Sequence, residues 1–474
     1  MKIEKVLLAI PNFRWQDWKI NTLWNVHPYN ICLLSAMIEQ EYDVVIVDAN
    51  IDDLSKEEFV KILEKEKPDV VGLTVLTNEY GRAGHIAAEI IKNVDKSIIV
   101  VFGGIYATNS YLSIIEDKNI DYVVVGEGEY IFKNLLGYLN GRNDLPAKGI
   151  AYKRDGKIIT TPRENFIADL DALPLPSYHK INFLKYANIN PRESVDRPRE
   201  FPYARVLTSR GCGVGCNFCE VEYISGKKFR ARSPGNVVDE IEWLKNEYDI
   251  KSVLFDDDNM LLDRNRAKDI FREMSQRNLD ITWNSIATPV FLLDEEALEL
   301  MRKTGCQYLD VAIESGVERV LKEIIHKPIK LEYARKMVKK AKELGIDIVA
   351  NFIVGFPGER WDEIRQTIKF AESFEADYVK IFIATPLPNT ELYQMAKEGG
   401  YLRKNFTFED IDWSRGQIET DEFTPQDVAI LRAYEWDRIN FTDQERRKNI
   451  ARMMNVTEDE LNQIRKRTLR SLKL

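Results

Sequence analysis

The chain has 474 residues, of which 44% are hydrophobic, so it can bury a large core, and its length alone suggests about three domains. A formal net charge of -9 argues against a polyanion such as nucleic acid as the partner. No run approaches the roughly eighteen apolar residues that span a bilayer, and the apolar start before Pro11 is too short for a signal sequence. With five cysteines, three of them clustered, a reducing cytoplasm is the expected setting.

From Val6 to about Leu139, apolar strands alternate with amphipathic helices. The strands are VLLAI, VVIVD ending at Asp48, VVGLTV, IIVVFGG and YVVVGEGE. Continuous apolar strands in that alternation predict a doubly wound parallel sheet, Rossmann-like, over residues 1–140. Ligands of such sheets sit outside the carboxyl ends of the strands. The residues there are Thr74, Leu76, Thr77 and Asn78 after the third strand, and Gly103, Gly104, Ile105 and Tyr106 after the fourth. Gly126, Glu127 and Gly128 follow the fifth. Glycine lets backbone approach a flat ligand closely, although tight strand-to-helix turns account for the same pattern.

Residues 141–200 read as a connector. Gly149 to Thr161 alternates around Asp155 and Gly156, a hairpin signal, and Ala172 to Ser177 is a proline-punctuated linker. Over 201–400 the alternation resumes with six strand-helix units, predicting a partial (β/α)6 barrel whose active residues gather at the carboxyl ends of the strands. Residues 401–474 turn to amphipathic helices, with Thr424 before Pro425, and Thr457 with Glu460, as helix starts.

Just past the first barrel strand stands TSRGCGVGCNFCE, in which Cys212, Cys216 and Cys219 are separated by three and then two residues. Three thiolates so close can hold three corners of a cubane iron-sulfur cluster and leave the fourth iron open. Zinc wants four protein ligands, and Cys32 and Cys306 are distant and read as buried structural residues. The second strand ends in Asp256, Asp257, Asp258 and Asn259, the fourth in Glu314, Ser315 and Gly316, and the fifth carries Ile353 and Gly355. A solvated acidic turn and plain core packing are the competing readings of those positions.

The cysteine spacing, with Phe218 before the last cysteine, resembles the radical S-adenosylmethionine superfamily. The strand ending in Asp48, FGGIYAT and VVGEGE, placed ahead of the triplet, resembles the cobalamin-binding domain of cobalamin-dependent radical enzymes. This resemblance implies a [4Fe-4S] cluster on Cys212, Cys216 and Cys219, and S-adenosylmethionine against Phe218, Asp257, Asp258, Glu314, Ser315, Ile353 and Gly355. It places cobalamin on the strand-end residues of the first domain. None of His27, His85, His179 or His326 stands in the Asp-x-His-x-x-Gly context that supplies a histidine to cobalt, and Leu76 falls where a non-coordinating neighbour of the metal is expected.

The implied activity is methylation of an unactivated carbon by way of a 5'-deoxyadenosyl radical and methylcobalamin, with an external electron donor such as flavodoxin or ferredoxin. Radical cyclisation or rearrangement, and a corrinoid-binding protein without turnover, are the alternatives. No stretch of the sequence tells a peptide substrate from a small molecule.

Overall fold

The computed structural model describes residues 2–16, 27–146, 148–163, 166–189 and 198–470, which fall into two compact units, 1–186 with 407–411, and 187–406 with 412–474. In the first unit β1 (Lys5–Ile10), β2 (Asp43–Asp48), β3 (Val70–Thr74), β4 (Ile99–Gly103) and β5 (Tyr122–Val124) pair in parallel. Helices α1 (Tyr29–Ile38), α2 (Lys56–Glu66), α3 (Gly81–Val94), α4 (Ile105–Glu116) and α5 (Gly128–Leu139) connect or follow them. Strands buried on both faces need helices on both sides. Two apolar clusters provide them: Leu7, Val71 and Phe102 pack with Ala87 and Ile91 of α3, while Val6, Leu8 and Val70 pack with Ile31 of α1 and Leu135 of α5.

The sheet order is β2-β1-β3-β4-β5-β6-β7, so the winding reverses between β1 and β3. The hairpin expected within the connector, β6 (Ile150–Arg154) and β7 (Lys157–Thr160), adds antiparallel to β5 and forms the far edge of this sheet. The unit continues to Tyr186, within α6 (Phe183–Ala187), where the tyrosine hydroxyl donates to the buried Asp48 Oδ2 at 3.1 Å. Residues 407–411 also belong to it, and Arg82 Nη2 reaches Asp410 Oδ1 at 3.2 Å.

The second unit is a six-stranded parallel sheet in the order β15-β14-β13-β12-β11-β8. Its strands are β8 (Tyr203–Val206), β11 (Ser252–Phe255), β12 (Thr282–Thr288), β13 (Cys306–Glu314), β14 (Asp347–Val354) and β15 (Tyr378–Ile383). Between the first two lie the short pair β9 (Ser209–Arg210) and β10 (Arg230–Ala231) and the one-turn α7 (Val221–Ile224). Helices α8 (Pro234–Tyr248), α9 (Arg264–Gln276), α10 (Glu295–Lys303), α11 (Leu331–Glu343), α12 (Trp361–Glu372) and α13 (Glu391–Glu398) alternate with the strands, as the sequence predicts.

Several of these helices start where a side chain caps free N–H groups: Ser233 before Pro234, and Asp263, Asp294 and Thr390. Their inner faces meet one face of the sheet. Trp283 of β12, fully buried, stacks on Phe271 of α9 at 5.0 Å, and Phe352 of β14 packs on Phe370 of α12 and on Phe374 just after it.

Three more helices follow: α14 (Pro425–Phe441), α15 (Gln444–Met454) and α16 (Glu458–Arg470). Thr424 and Thr457 start α14 and α16 as expected, and each forms a reciprocal cap, with Asp427 and Glu460 respectively. The sequence predicts the last helix over Thr457 to Leu472, and residues 471–474 lie outside the described ones. Along β15, the open edge of the partial barrel, α14 takes the place of a seventh strand. Asn440 Oδ1 accepts from Val379 N at 2.9 Å and its Nδ2 donates to Val379 O at 2.8 Å, while Arg432 Nε donates to Ile381 O at 3.0 Å. Among the described residues no helix is long and apolar enough to cross a membrane.

Candidate functional site

The three cysteines lie on the loop between the paired β9 and β10, at the carboxyl edge of the partial barrel just beyond β8. Gly211 opens the loop with φ +89, and a Cβ there would stand 2.5 Å from Lys228 O and 2.9 Å from Gly226 O, so only glycine fits. Cys212 N then donates to Gly226 O at 3.1 Å, and Cys219 N to Cys216 O at 3.1 Å. Asn217, between Cys216 and Cys219, donates its N–H to Ile325 O at 3.1 Å, and its carbonyl accepts from Leu392 N at 2.9 Å. The loop is thus fastened to the barrel on several sides.

All three thiols are free and half-buried, whereas Cys32 and Cys306 are fully buried. Cys306 opens β13 at the amino end of the sheet. Burial pushes Cys216 up to about 11 against the pull of the Lys327 ammonium, and pushes Cys219 up to about 12. Thiolates in such a setting need the positive charge of bound metal to form. Three thiols on one loop, within each other's electrostatic reach and without a fourth, fit three corners of a cubane. Among the described residues no three His, Cys, Asp or Glu side chains converge as a single-ion site.

The acidic run after β11 sends its members in different directions. Asp256 pairs with Arg205 of β8. Asp257, fully desolvated, accepts on Oδ1 from Thr208 N (3.0 Å), Thr208 Oγ1 (2.8 Å) and Ser209 Oγ (2.5 Å). Burial raises it to about 6 against those bonds, and its Oδ2 has no partner among the described residues. Asp258 Oδ2 accepts from Gly211 N at 2.9 Å, and Asn259 Nδ2 reaches Cys212 Sγ at 3.5 Å. The run therefore braces the root of the cysteine loop, leaving one carboxylate oxygen of Asp257 for a further donor.

At the end of β13, Glu314 adopts φ +70 and its Oε1 accepts from Lys327 Nζ at 2.6 Å, both side chains being buried. Ser315 is engaged elsewhere: its hydroxyl shares a 3.0 Å hydrogen bond with Thr367 of α12 and accepts from Val317 N at 3.2 Å. At the end of β14, Gly355 N and Phe356 N both donate to Glu359 Oε2, at 2.7 and 3.1 Å. Burial raises Glu359 to about 7.

Phe218 from the cysteine loop lies 6.1 Å from Phe356, centroid to centroid, and Val428 of α14 stands 3.2 Å from the position of a Gly355 Cβ. Cys212, Cys216, Cys219, Phe218, Asp257, Asp258, Glu314 and Gly355 are thus gathered at the strand ends, with Ile353 two residues deeper in β14. The sequence reading missed Lys327 and Glu359. Lys327 carries no local signal, whereas a glutamate four residues past a strand-end glycine could have marked Glu359 as a loop anchor.

In the first unit the candidate corrinoid residues lie at the carboxyl ends of β3, β4 and β5 and are knitted together. Tyr106 N donates to Val75 O at 3.3 Å, and Gly126 N to Thr108 Oγ1 at 3.0 Å. Gly104 has φ +95, and a Cβ there would lie 2.6 Å from Thr74 Oγ1. Asn78 Nδ2 donates to Ser110 Oγ at 3.0 Å, and Glu127 Oε2 accepts from Ile167 N at 2.7 Å.

Leu76 is half-buried, and Ile105 and Gly128 begin α4 and α5. His85 joins Tyr106 OH at 3.3 Å and Asp117 Oδ2 at 2.7 Å. Two observations fit a flat ligand here. The outer face of Gly103 meets nothing closer than 4.0 Å, and the buried Thr77 Oγ1 has no partner among the described residues.

Residues 206–371 match the radical SAM superfamily and residues 20–136 the B12 binding domain. The uncharacterized methyltransferase PH0819 of Pyrococcus horikoshii is 35% identical over 438 residues, covering 91% of each chain. The cytidylyl-2-hydroxyethylphosphonate methyltransferase of Streptomyces wedmorensis is 31% identical over 415 residues, covering 79% of this chain and 76% of that one. The fold is shared with the radical S-adenosylmethionine methyltransferase TsrM from Kitasatospora setae with cobalamin and [4Fe-4S] cluster bound, at 21% identity, TM-score 0.67, and 85% and 76% coverage of the two chains. With its two domain types in this order and its relatives matched over nearly the whole length, the chain belongs to the cobalamin-dependent radical S-adenosylmethionine methyltransferases, whose cofactors are a [4Fe-4S] cluster, S-adenosylmethionine and cobalamin.

Proposed function

We propose that the chain methylates an unactivated carbon of its substrate, with Cys212, Cys216 and Cys219 holding the cluster and the ends of β3, β4 and β5 holding the corrinoid. The supporting observation is the three-cysteine loop at the carboxyl edge of a partial barrel, in one chain with a B12 binding domain. When bound, the cluster supplies the electron that opens the sulfonium of S-adenosylmethionine to a 5'-deoxyadenosyl radical, and the corrinoid supplies the methyl group.

The protein's part is to bind, orient and exclude water. Asp257 and Asp258 fix the root of the loop, and the free Oδ2 of Asp257 accepts from a cationic amine such as that of methionine. Phe218, backed by the buried Phe356, offers apolar ring surface for an adenine, beside backbone that Glu359 holds in place. Glu314, anchored by Lys327, keeps Oε2 for a hydroxyl or ammonium donor, while Ser315 braces α12. Thr77 and the bare face of Gly103 meet the corrinoid. The enzyme works in the cytoplasm and takes its electrons from a small donor protein of the flavodoxin or ferredoxin kind.

The test is an anaerobic assay of protein reconstituted with iron, sulfide and hydroxocobalamin, given S-adenosylmethionine and titanium(III) citrate. Formation of both S-adenosylhomocysteine and 5'-deoxyadenosine is expected, and Cys216→Ala abolishes the second product. Deoxyadenosine alone would point to cyclisation or rearrangement, and neither product would refute the enzymatic reading.

A further inference from the structure

Lys327 stands alone in the sequence, between His326 and Pro328. The fold delivers it to the cysteine loop by an unusual route. Val320–Ile325 forms a π-helix, a form concentrated at functional sites, and the chain leaves it through His326 at φ 63. Lys327 N closes back on Leu321 O at 2.8 Å. The last carbonyl of the same π-helix, Ile325 O, accepts from Asn217 N between the second and third cysteines. One short path of backbone therefore holds the ammonium, its partner Glu314 and the loop together. Glu314 is a non-glycine residue at φ +70, a conformation that persists where the surroundings over-determine it.

Buried ion pairs are costly, because removing two charges from water offsets most of their attraction. Lys327 and Glu314 are 7% and 5% exposed, so the pair is poor as a stabilising device and calls for another role. Reducing a cluster adds negative charge to it, and its potential responds to nearby charge and hydrogen bonding. We propose that the Lys327–Glu314 pair sets the reduction potential of the cluster, Lys327 being a positioning residue that both holds Glu314 and balances its charge beside the cysteine loop. The proposal rests on Cys212, Cys216 and Cys219 being the cluster ligands.

The two halves of the pair predict opposite shifts. Lys327→Met leaves a carboxylate without its counter-charge and disfavours reduction. Glu314→Gln leaves an unbalanced ammonium and favours it. The experiment is an anaerobic redox titration of the reconstituted full chain, following the paramagnetic signal of the reduced cluster, with iron and sulfide measured per chain. In Lys327→Met the ratio of reduced to oxidised cluster at the wild-type midpoint is expected to fall about tenfold, equivalent to about 59 mV for a one-electron couple. Glu314→Gln is expected to shift it as far the other way, and Lys327→Arg to leave it in place.

Loaded Lys327→Met and Glu314→Gln with unmoved midpoints, or with shifts of the same sign, would overturn the proposal alone. If Lys327→Met takes up no cluster, Glu314→Gln decides, and an unchanged midpoint there overturns it. A wild-type chain that binds no iron overturns the ligand assignment and this proposal with it.

Discussion

Gly211 and Gly215 of the cysteine loop both have positive φ but different surroundings, and together they test how tightly the fold dictates the loop. Gly211 (φ +89) has three backbone carbonyls around the site of a Cβ, Lys228 O at 2.5 Å, Gly226 O at 2.9 Å and Ser225 O at 3.2 Å. Gly215 (φ +79) has nothing within 4 Å. Alanine at Gly215 costs the conformational strain alone, about 1 kcal/mol. Alanine at Gly211 adds an overlap that backbone must relieve, about 1–3 kcal/mol more.

Because Cys212 follows Gly211 and bonds the same Gly226 O, that relief displaces Cys212. The added cost corresponds to a rise in loop opening of about 5-fold to about 150-fold. Gly211→Ala should therefore hold less iron per chain after anaerobic reconstitution and lose it to a chelator at least about fivefold faster than Gly215→Ala. Equal iron content and equal rates of loss in the two variants would refute the reasoning.

Glu359 gives a pH signature. Its folded value of about 7, raised by burial, lies above the ordinary carboxyl range, so the folded state holds the proton more tightly. Stability from this group is fully present at low pH and falls by about 3 kcal/mol as pH rises from about 4.5 through about 7. Glu359→Gln keeps an acceptor for Gly355 N and Phe356 N and removes that slope, so its urea midpoint relative to wild type should rise between about pH 5 and about pH 8. Parallel curves would count against it.

Asn440→Ala leaves both polar groups of Val379 buried and unpaired, at about 1–3 kcal/mol each, and should lower the thermal midpoint of the second unit; a shift no larger than that of an exposed substitution contradicts the edge role. Asp257→Asn keeps an acceptor for Thr208 N while removing a buried charge, so it should retain iron at wild-type level, whereas Asp257→Ala should lose it. Equal retention by the two would show that the carboxylate does not brace the loop.

The alternation of strands and helices and the cysteine spacing were legible because both are local: a strand buried on two faces reads as an apolar run, and the three clustered cysteines fall within eight residues. The hairpin at Asp155–Gly156 was legible too, but its docking on β5 was not, since nothing near Tyr152 names the strand it will pair with. The acids after β11 were recognisable as a site without being separable. Each leaves the strand end at a different angle, so Asp256 finds Arg205 while Asp257 and Asp258 find the loop.

Ser315 read as a ligand contact, and only the fold reveals that α12 brings Thr367 to its hydroxyl. Lys327 was invisible because a π-helix and a left-handed residue, rather than any spacing, turn it inward. Asn440 looks like any amide in the last turn of a helix until an edge strand lies beside it.

That last contact has a wider consequence. A cylinder left unclosed would normally invite a stranger's extended segment to zip onto its rim, and proteins suppress such templates by covering or blunting them. Here a single carboxamide answers both polar groups of one rim residue and a guanidinium answers a carbonyl two residues further along, from a helix that cannot itself be extended by strand pairing. The gap in the wall can then stay wide without becoming adhesive.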